Sequence, residues 1–487
     1  MKPLFTLLFC SLFFFQAATS ASAQTLISVE YKGLLPASVM NFALPRFGLS
    51  AKNDIEYYTI NYTMNNLSGV QDTVSGLYVR PAGVSVDARY PSMVYQHGTT
   101  DTKFGVPSRS APGQDLPYIY ATQGYAVLAP DFLNMGDDQE GFHPYVHART
   151  EGMAAIRMME AMMADPLYAD LVNEQLFLTG YSQGGHASMA LHEILIEEYP
   201  AIEVTAAAHM SGPYSLSDIM LNEVALSSDA FGAPGFMPYT LASYQTVYGN
   251  LYTDLSEVFK TEFIAPVQAF IDGYETATVG LSTLNQQLID GLAAAGNDSM
   301  TVELFPATYV ADLRANPNHP LIAALRDNDT YNFVNPTPTR LFYCSGDDQV
   351  NYLNSPFAAD TMTAMGATNT IAVEVGPTLT HTECVIPAVS GSVTFFEDYQ
   401  QITSSTTQIP GAYAWTYLQT EEGLRIYTNN DQVEYQVNLY DAMGRQLVSA
   451  MYRSGQLLDL SQLPTSWAAV QMLDEEGRMT TKSIIVR

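Results

Sequence analysis

The chain has 487 residues, a formal net charge of −30 and 47% hydrophobic residues. A strongly acidic surface repels nucleic acid and anionic lipid, so this composition argues against a nucleic-acid-binding protein. The length predicts more than one domain.

The first 23 residues have the pattern of a secretory signal peptide. They open with Met1-Lys2, continue with an apolar run from Leu4 to Phe15, and end in Ala21-Ser22-Ala23. That run is too short to span a bilayer, and no later stretch approaches the ~20 apolar residues that a membrane helix requires. We therefore expect an exported protein, secreted or attached to the cell surface, with no transmembrane segment.

Residues 55 to 129 alternate between strand and helix patterns. Two runs suited to paired strands, Ile55 to Tyr62 and Thr73 to Arg80, precede a short buried run from Ser92 to Tyr95. A predicted helix from Leu116 to Gln123 then leads to a second buried strand, Tyr125 to Ala129. The order strand, helix, strand is typical of an α/β fold.

His143, His147 and Glu151 stand at i, i+4 and i+8 of a long helical pattern and could bind zinc on one helix face. Pro144 instead indicates that His143 lies at the entrance of the helix, since proline is favoured in the first turn. We therefore expect a capping or hydrogen-bonding role for these side chains and no metal site.

The pentapeptide Gly180-Tyr181-Ser182-Gln183-Gly184 has the form of a nucleophile elbow. The apolar run Leu176-Phe177-Leu178 precedes it, and a helical pattern follows it. Such an elbow exposes a serine on a sharp strand-to-helix turn, and glycines flank it because side chains there would collide with the packed strand and helix. The pattern predicts Ser182 as a nucleophile rather than as part of an ordinary glycine-rich loop.

Two backbone N–H groups could stabilise an oxyanion beside Ser182. One belongs to Gln183, the residue after the nucleophile. The other belongs to Thr99, because a predicted strand runs into Gln96-His97-Gly98 just before it. A plain strand-ending turn is the alternative interpretation of this second segment.

The α/β alternation stops after a predicted strand from Val204 to Met210 and resumes near residue 340. The intervening segment, about 213 to 336, contains many tyrosines, proline and glycine breaks, and helix-like stretches such as Val258 to Tyr274. An insertion between core strands, on the side where the strands end, would cover the active site. We therefore predict a mostly helical cap.

Candidates for an acid and a base follow the late strands. Asp347 and Asp348 come after a predicted strand from Arg340 to Cys344, and His381 follows the next predicted strand. Asp218 is a more remote candidate for the acid, and the other histidines all precede Asp347. The order serine, acid, histidine is that of hydrolase triads on α/β folds. Turn formation and helix capping could also explain the two neighbouring aspartates.

From about residue 55 to 397 the chain resembles secreted α/β-hydrolases of the secretory lipase and esterase kind, through the segments YQHGTT, GYSQGGH, SGDDQVNYLNS and HTEC. In such families the acid stands three residues before a valine, which Asp347 satisfies with Val350 and Asp348 does not. The resemblance implies an α/β-hydrolase catalytic domain over residues 24–402 with the triad Ser182, Asp347 and His381. It also implies a small-molecule or lipid ester substrate and no cofactor.

Export would leave Cys344 and Cys384 in an oxidising compartment. Two cysteines are too few for a disulfide framework, so two buried thiols that pack as small apolar side chains are the simpler interpretation. A single disulfide is the alternative, because the cysteines lie three residues before Asp347 and three residues after His381, which must touch.

The last part of the chain has a different pattern. The run from Thr403 to Thr407, followed by Pro410-Gly411, has a linker composition, and we assign residues 403–411 to a linker. Apolar and polar residues then alternate from Val433 to Leu439, which indicates a small β-sandwich domain over residues 412–487. This domain resembles the C-terminal sorting domain of type IX secretion and implies contact with that machinery. Ser466-Trp467-Ala468 departs from the glycine and aromatic residue that are usual there.

These features predict a secreted serine esterase or lipase that works through an acyl-enzyme. Two alternatives stay open. One is a serine peptidase of the prolyl oligopeptidase-like branch, which would use the same triad. The other is a surface binding protein with an inactive hydrolase scaffold.

Overall fold

The computed structural model describes residues 25–82, 88–138, 141–297 and 300–404, and in the C-terminal part 415–420, 423–428, 434–441, 445–458, 460, 466–473 and 479–486. The predicted signal peptide and residues 405–411 of the predicted linker lie outside these described residues. The chain divides into two compact units, Met1–Ser404 and Ser405–Arg487.

The first unit is built on a mixed sheet that has ten strands among the described residues. These strands are β1 Leu26–Leu35, β2 Asp54–Asn65, β3 Gln71–Ala82, β4 Ala88–Gln96, β5 Ala126–Pro130, β6 Val172–Tyr181, β7 Ala206–Met210, β8 Thr339–Tyr343, β9 Thr370–Glu374 and β10 Thr403–Ser404. Their order is β1-β2-β3-β5-β4-β6-β7-β8-β9, and β10 pairs with β4. Pairing is antiparallel from β1 to β5 and parallel from β5 to β9.

Helices cover the sheet and form the cap. They are α1 Ala37–Met40, α2 Leu116–Thr122, α3 Ala148–Met163, α4 Pro166–Ala169, α5 Gln183–Glu198, α6 Phe236–Tyr248, α7 Thr261–Gly273, α8 Leu281–Ala294, α9 Ala307–Ala315, α10 Pro320–Arg326, α11 Asn354–Met365 and α12 His381–Glu397. Alternate residues of the central strands face opposite sides of the sheet, as the strand period of two requires. Met93 and Phe177 pack with α2 and α12, whereas Val94 and Leu178 pack with α3 and α5.

The segment between β7 and β8 folds as the predicted, mostly helical cap. It begins with a π-helical segment, Leu216–Ala225, and continues through α6 to α10. Its apolar side chains form a hydrophobic core of their own, which Phe142, Tyr145 and Val146 join from the segment before α3. The Tyr145 ring stacks on Tyr239 of α6, with centroids 4.2 Å apart.

Several element boundaries differ from the sequence prediction. Helix α3 begins at Ala148 with His147 as its N-cap residue, so His143 and Pro144 lie before the helix and not in its first turn. His381 is the first residue of α12 and not part of a loop. Thr403 and Ser404, which the sequence places in the linker, pair with β4.

The second unit contains two antiparallel sheets. Its described strands are β11 Trp415–Thr420, β12 Gly423–Thr428, β13 Glu434–Asp441, β14 Gln446–Arg453, β15 Leu457–Leu458, β16 Ser466–Leu473 and β17 Met479–Val486. One sheet has the order β11-β12-β15 and the other the order β14-β13-β16-β17. Leu424 and Ile426 of the first sheet share a core with Val437 and Leu439 of the second. Two sheets around one core form the predicted β-sandwich.

Candidate active site

Ser182 stands on the turn between β6 and α5 with φ 61° and ψ −125°. A residue other than glycine in such a conformation costs about 1 to 3 kcal/mol and persists only where its surroundings hold it. Here the Ser182 N–H donates to the carbonyl of Met210 on the neighbouring strand β7 at 2.9 Å. The Ser182 carbonyl in turn accepts from the N–H groups of Gly185 and His186. These bonds fix the sharp turn.

Gly180 and Gly184 leave no room for side chains at the turn. A Cβ on Gly180 would collide with the carbonyl oxygen of Gly184, and a Cβ on Gly184 would collide with the carbonyl oxygen of Gln96 at the end of β4. The spacing of the two glycines around Ser182 therefore has a steric cause, as expected for a nucleophile elbow.

The structure brings His381 and Asp347 into contact. Nδ1 of His381 lies 2.7 Å from Oδ2 of Asp347, and the two side chains are 7% and 2% exposed. Oδ1 of Asp347 accepts the main-chain N–H groups of Gln349 and Val350 at 3.0 and 2.8 Å. The carboxylate is thus fixed with one oxygen toward the imidazole. Such a contact places the ring proton on Nδ1 and makes Nε2 the proton acceptor.

The other two candidate acids contact groups other than the imidazole ring of His381. Asp348 is exposed, and its Oδ1 accepts the main-chain N–H of His381 at 3.0 Å. Asp218 is exposed in the cap and bonds to the Asn222 side chain at 2.9 Å. Of these three carboxylates, Asp347 is therefore the one that contacts the imidazole ring.

Cys344 and Cys384 form a disulfide, with their Cα atoms 6.0 Å apart. The simpler interpretation of two free buried thiols is therefore wrong, although both residues are fully buried. The bond ties the end of β8, just before Asp347, to the first turn of α12, which His381 begins.

Two cavities meet at Ser182. One lies under the cap and is lined mainly by apolar side chains that include Leu221, Leu241 and Leu325. The other is lined by His381, Thr99 and several polar residues. Ser182, Phe236 and Gln349 line both. An apolar group could therefore lie on one side of the serine hydroxyl and a more polar group on the other.

The two candidate oxyanion donors belong to residues that each line a cavity together with Ser182. Gln183 is the first residue of α5, where a backbone N–H has no acceptor inside the helix. Thr99 lines the second cavity together with Ser182, and its side-chain hydroxyl bonds to the Tyr145 hydroxyl at 2.9 Å. The hydroxyl of Thr99 is thus turned to the segment before α3.

The histidines considered for zinc bind other protein groups. Nδ1 of His143 lies 3.0 Å from the Leu133 carbonyl, and Nδ1 of His147 lies 3.1 Å from the Thr150 hydroxyl. Burial lowers the pKa of His143 to about 3 and that of His147 to about 4. Within the described residues, no group of three His, Cys, Asp or Glu side chains could hold a metal ion.

No helix in the described part of the chain has the length and apolar character needed to cross a membrane.

Two contacts at the site have no signal in the sequence. The Tyr181 hydroxyl donates to the His381 carbonyl at 2.5 Å, which joins the elbow to the start of α12. The side chain of Gln183 is buried, and its amide nitrogen contacts the side chains of His143 and Glu151. Both contacts join residues that are far apart along the chain, so spacing alone could not indicate them.

Solved structures of other proteins share this fold. A Legionella pneumophila protein is 24% identical with a TM-score of 0.67, and the match covers 77% of this chain and 98% of that one. The rice cell wall degrading esterase LipA from Xanthomonas oryzae is 25% identical, with a TM-score of 0.66 and coverage of 77% and 97%. Candida antarctica lipase A in its closed state is 16% identical, with a TM-score of 0.53 and coverage of 78% and 84%.

These likenesses show the α/β-hydrolase fold that the sequence predicted. No protein-family model matches the chain, and no curated protein matches it.

Proposed function

We propose that the protein is a carboxylic ester hydrolase that acts through a covalent acyl-enzyme. The observation that carries this proposal is the 2.7 Å contact between Nδ1 of His381 and Asp347, in a histidine that lines the same cavity as Ser182. The strained turn at Ser182 supports it further, since such strain is typical of a nucleophile elbow. Two of the proteins that share the fold are called an esterase and a lipase.

In the proposed reaction, each of these groups has a distinct role. Ser182 Oγ attacks the ester carbonyl carbon while His381 Nε2 takes its proton, and Asp347 stabilises the imidazolium. The N–H groups of Gln183 and Thr99 hold the oxyanion of the tetrahedral intermediate. The C–O bond to the alcohol then breaks, and His381 returns the proton to the leaving oxygen. Water repeats the sequence on the acyl-enzyme, and these residues need no cofactor for either step.

We infer that the apolar cavity under the cap binds the acyl chain of the ester. Burial of each methylene contributes about 0.8 kcal/mol, and the lining side chains are mainly apolar. A peptide would bring N–H and C=O groups that cost roughly 1 to 3 kcal/mol each if they stay unpaired. This comparison favours esters of small or medium length over the peptidase alternative.

The decisive experiment compares kcat/KM for p-nitrophenyl butyrate and octanoate with the values for a set of dipeptide and prolyl anilides. We expect the esters to be far better substrates and Ser182→Ala to abolish turnover. If any anilide is the better substrate, the peptidase alternative is correct. Fluorophosphonate labelling of Ser182 separates an enzyme from an inactive binding protein, because a folded protein that takes no label has no activated serine.

We further propose export through the periplasm, with the C-terminal domain as the sorting signal. The signal-peptide pattern of residues 1–23 supports the first step, and the Cys344–Cys384 disulfide suits an oxidising compartment. In a bacterium with type IX secretion, we expect the full chain to reach the surface or medium and a chain without residues 412–487 to stay in the periplasm. Equal distribution of the two chains would contradict the sorting role.

A further inference from the structure

A buried polar cluster lies below the nucleophile elbow. It consists of His143, Glu151, Gln183 and His186, each at most 2% exposed. Glu151 is a fully buried carboxylate that takes no part in the proposed reaction. Buried carboxylates are rare unless they are paired and hydrogen-bonded, so the contacts of Glu151 indicate what it does.

Both amide hydrogens of Gln183 are used in this cluster. Nε2 of Gln183 donates to Oε1 of Glu151 at 2.7 Å and lies 3.0 Å from Nε2 of His143. Nδ1 of His143 lies 3.0 Å from the carbonyl oxygen of Leu133. Because that oxygen only accepts, Nδ1 carries the ring proton and Nε2 accepts the second amide hydrogen. The side chain of Gln183 is therefore held at two points.

The carboxylate of Glu151 is itself fixed by three groups. Its Oε1 also accepts the main-chain N–H of Val146 at 3.0 Å, and its Oε2 lies 3.2 Å from Nδ1 of His186. Nε2 of His186 lies 2.8 Å from the carbonyl of Asn328, which follows α10 of the cap. Both nitrogens of His186 thus face hydrogen-bond acceptors, which hold the ring in place beside Glu151.

We propose that Glu151 and His143 are positioning residues for the oxyanion hole, and that they act by fixing the side chain of Gln183. The main-chain N–H of Gln183 follows the strained Ser182 peptide at the start of α5. Oxyanion donors must be held in place before the reaction, and a displacement of 1 Å can cost about 100-fold in rate. The inference rests on the proposed function, because it assigns a role in the same reaction.

The test compares Gln183→Leu with the wild type. We expect kcat for p-nitrophenyl butyrate to fall by about 10- to 100-fold with KM within about twofold, since only the transition state carries the oxyanion. Glu151→Leu should show the same pattern. Glu151→Gln should restore most of the rate, because a glutamine oxygen can still accept from Gln183 and its amide can donate to Nδ1 of His186.

Ser188→Ala is the matched control. Ser188 lies on the same helix and is fully buried, and its hydroxyl lies 2.8 Å from Nδ1 of His209, away from Gln183. This variant should lower the melting temperature but leave kcat within about twofold. If it lowers kcat as much as Gln183→Leu, the effect is one of stability and the proposal fails. If Gln183→Leu does not fold, Gln183→Met, which keeps the side-chain length, takes its place.

A second readout separates this inference from the proposed function. The rate of Ser182 phosphonylation by a fluorophosphonate depends on the oxyanion hole, because the phosphoryl oxygen enters it, and does not require an ester substrate. A wild type that is labelled but does not cleave esters contradicts only the proposed function. The inference is wrong if the labelling rate and kcat of Gln183→Leu both stay within about threefold of the wild-type values.

Discussion

Asp348 accepts the main-chain N–H of His381 at 3.0 Å, while the neighbouring Asp347 holds the imidazole of the same residue at 2.7 Å. Two adjacent carboxylates therefore fix His381 at two points, one on the backbone and one on the ring. His381 is the first residue of α12, where a helix leaves its N–H groups without internal acceptors. The contact of Asp348 thus fixes the start of the helix, and the contact of Asp347 fixes the tautomer.

This division of roles gives different expectations for the same substitution at the two positions. Asp347→Asn should lower kcat by about 10⁴-fold, because an amide can donate to Nδ1 and so favour the wrong tautomer. Asp348→Asn should change kcat by less than about threefold, since its side-chain oxygen still accepts the His381 N–H. Steady-state kinetics of both variants with p-nitrophenyl butyrate checks this. Equal losses of kcat in the two variants would contradict the assignment of Asp347 as the triad acid.

The disulfide should matter for stability. It closes a loop with a sequence separation of 40 residues, for which the loop-closure model gives about 4 kcal/mol of stabilisation. We expect the double variant Cys344→Ala/Cys384→Ala to lose several kcal/mol in the free energy of unfolding, as measured by urea denaturation. In the unreduced, denatured mature protein, thiol counting should find no free cysteine. Two thiols would show that the bond does not form.

Glu193 should make stability depend on pH. Burial, helped by the charge of Glu197, raises the pKa of Glu193 from 4.5 to about 7. The folded protein therefore holds this proton more tightly than the unfolded chain, so the contribution of Glu193 to stability is greatest below pH 4.5 and is lost as the pH rises to about 7.

Replacement of Glu193 by glutamine removes this dependence. We expect Glu193→Gln to match the wild type in melting temperature near pH 4 and to exceed it near pH 8. Glu223→Gln, at an exposed position in the cap, is the control and should show no such trend. If the difference in melting temperature between Glu193→Gln and the wild type does not change with pH, the pKa of Glu193 is not raised.

The sequence predicted those parts of the molecule that depend on local spacing. The elbow around Ser182, the buried central strands and the cap between β7 and β8 all have patterns within a short window. Strand β1 was missed because it is an edge strand with little alternation of burial, so its residues carry a weak signal. The bond from Gln183 to Glu151 and the contact of Asp348 with the His381 N–H join residues that are 30 or more positions apart, and no pattern along the chain indicates them.

The apolar cavity under the cap should set the preferred acyl length. For the wild type we expect kcat/KM to rise from p-nitrophenyl butyrate to octanoate by up to about fourfold per methylene, the factor that corresponds to ~0.8 kcal/mol. Ala225 lines this cavity and is nearly fully buried, so Ala225→Phe should fill part of the space. In that variant, kcat/KM for p-nitrophenyl octanoate should fall by about tenfold or more. Its kcat/KM for the butyrate should stay within about threefold of the wild-type value, because only the longer acyl chain needs the filled space.

Ala293→Phe, at an exposed position on α8 of the cap and outside the cavity lining, is the matched control and should leave both values unchanged. Melting temperatures of both variants identify any general loss of folding. If Ala225→Phe lowers the rates for butyrate and octanoate by the same factor, the chain does not bind in this cavity. The acyl group would then have to lie in the second cavity, beside His381 and Thr99.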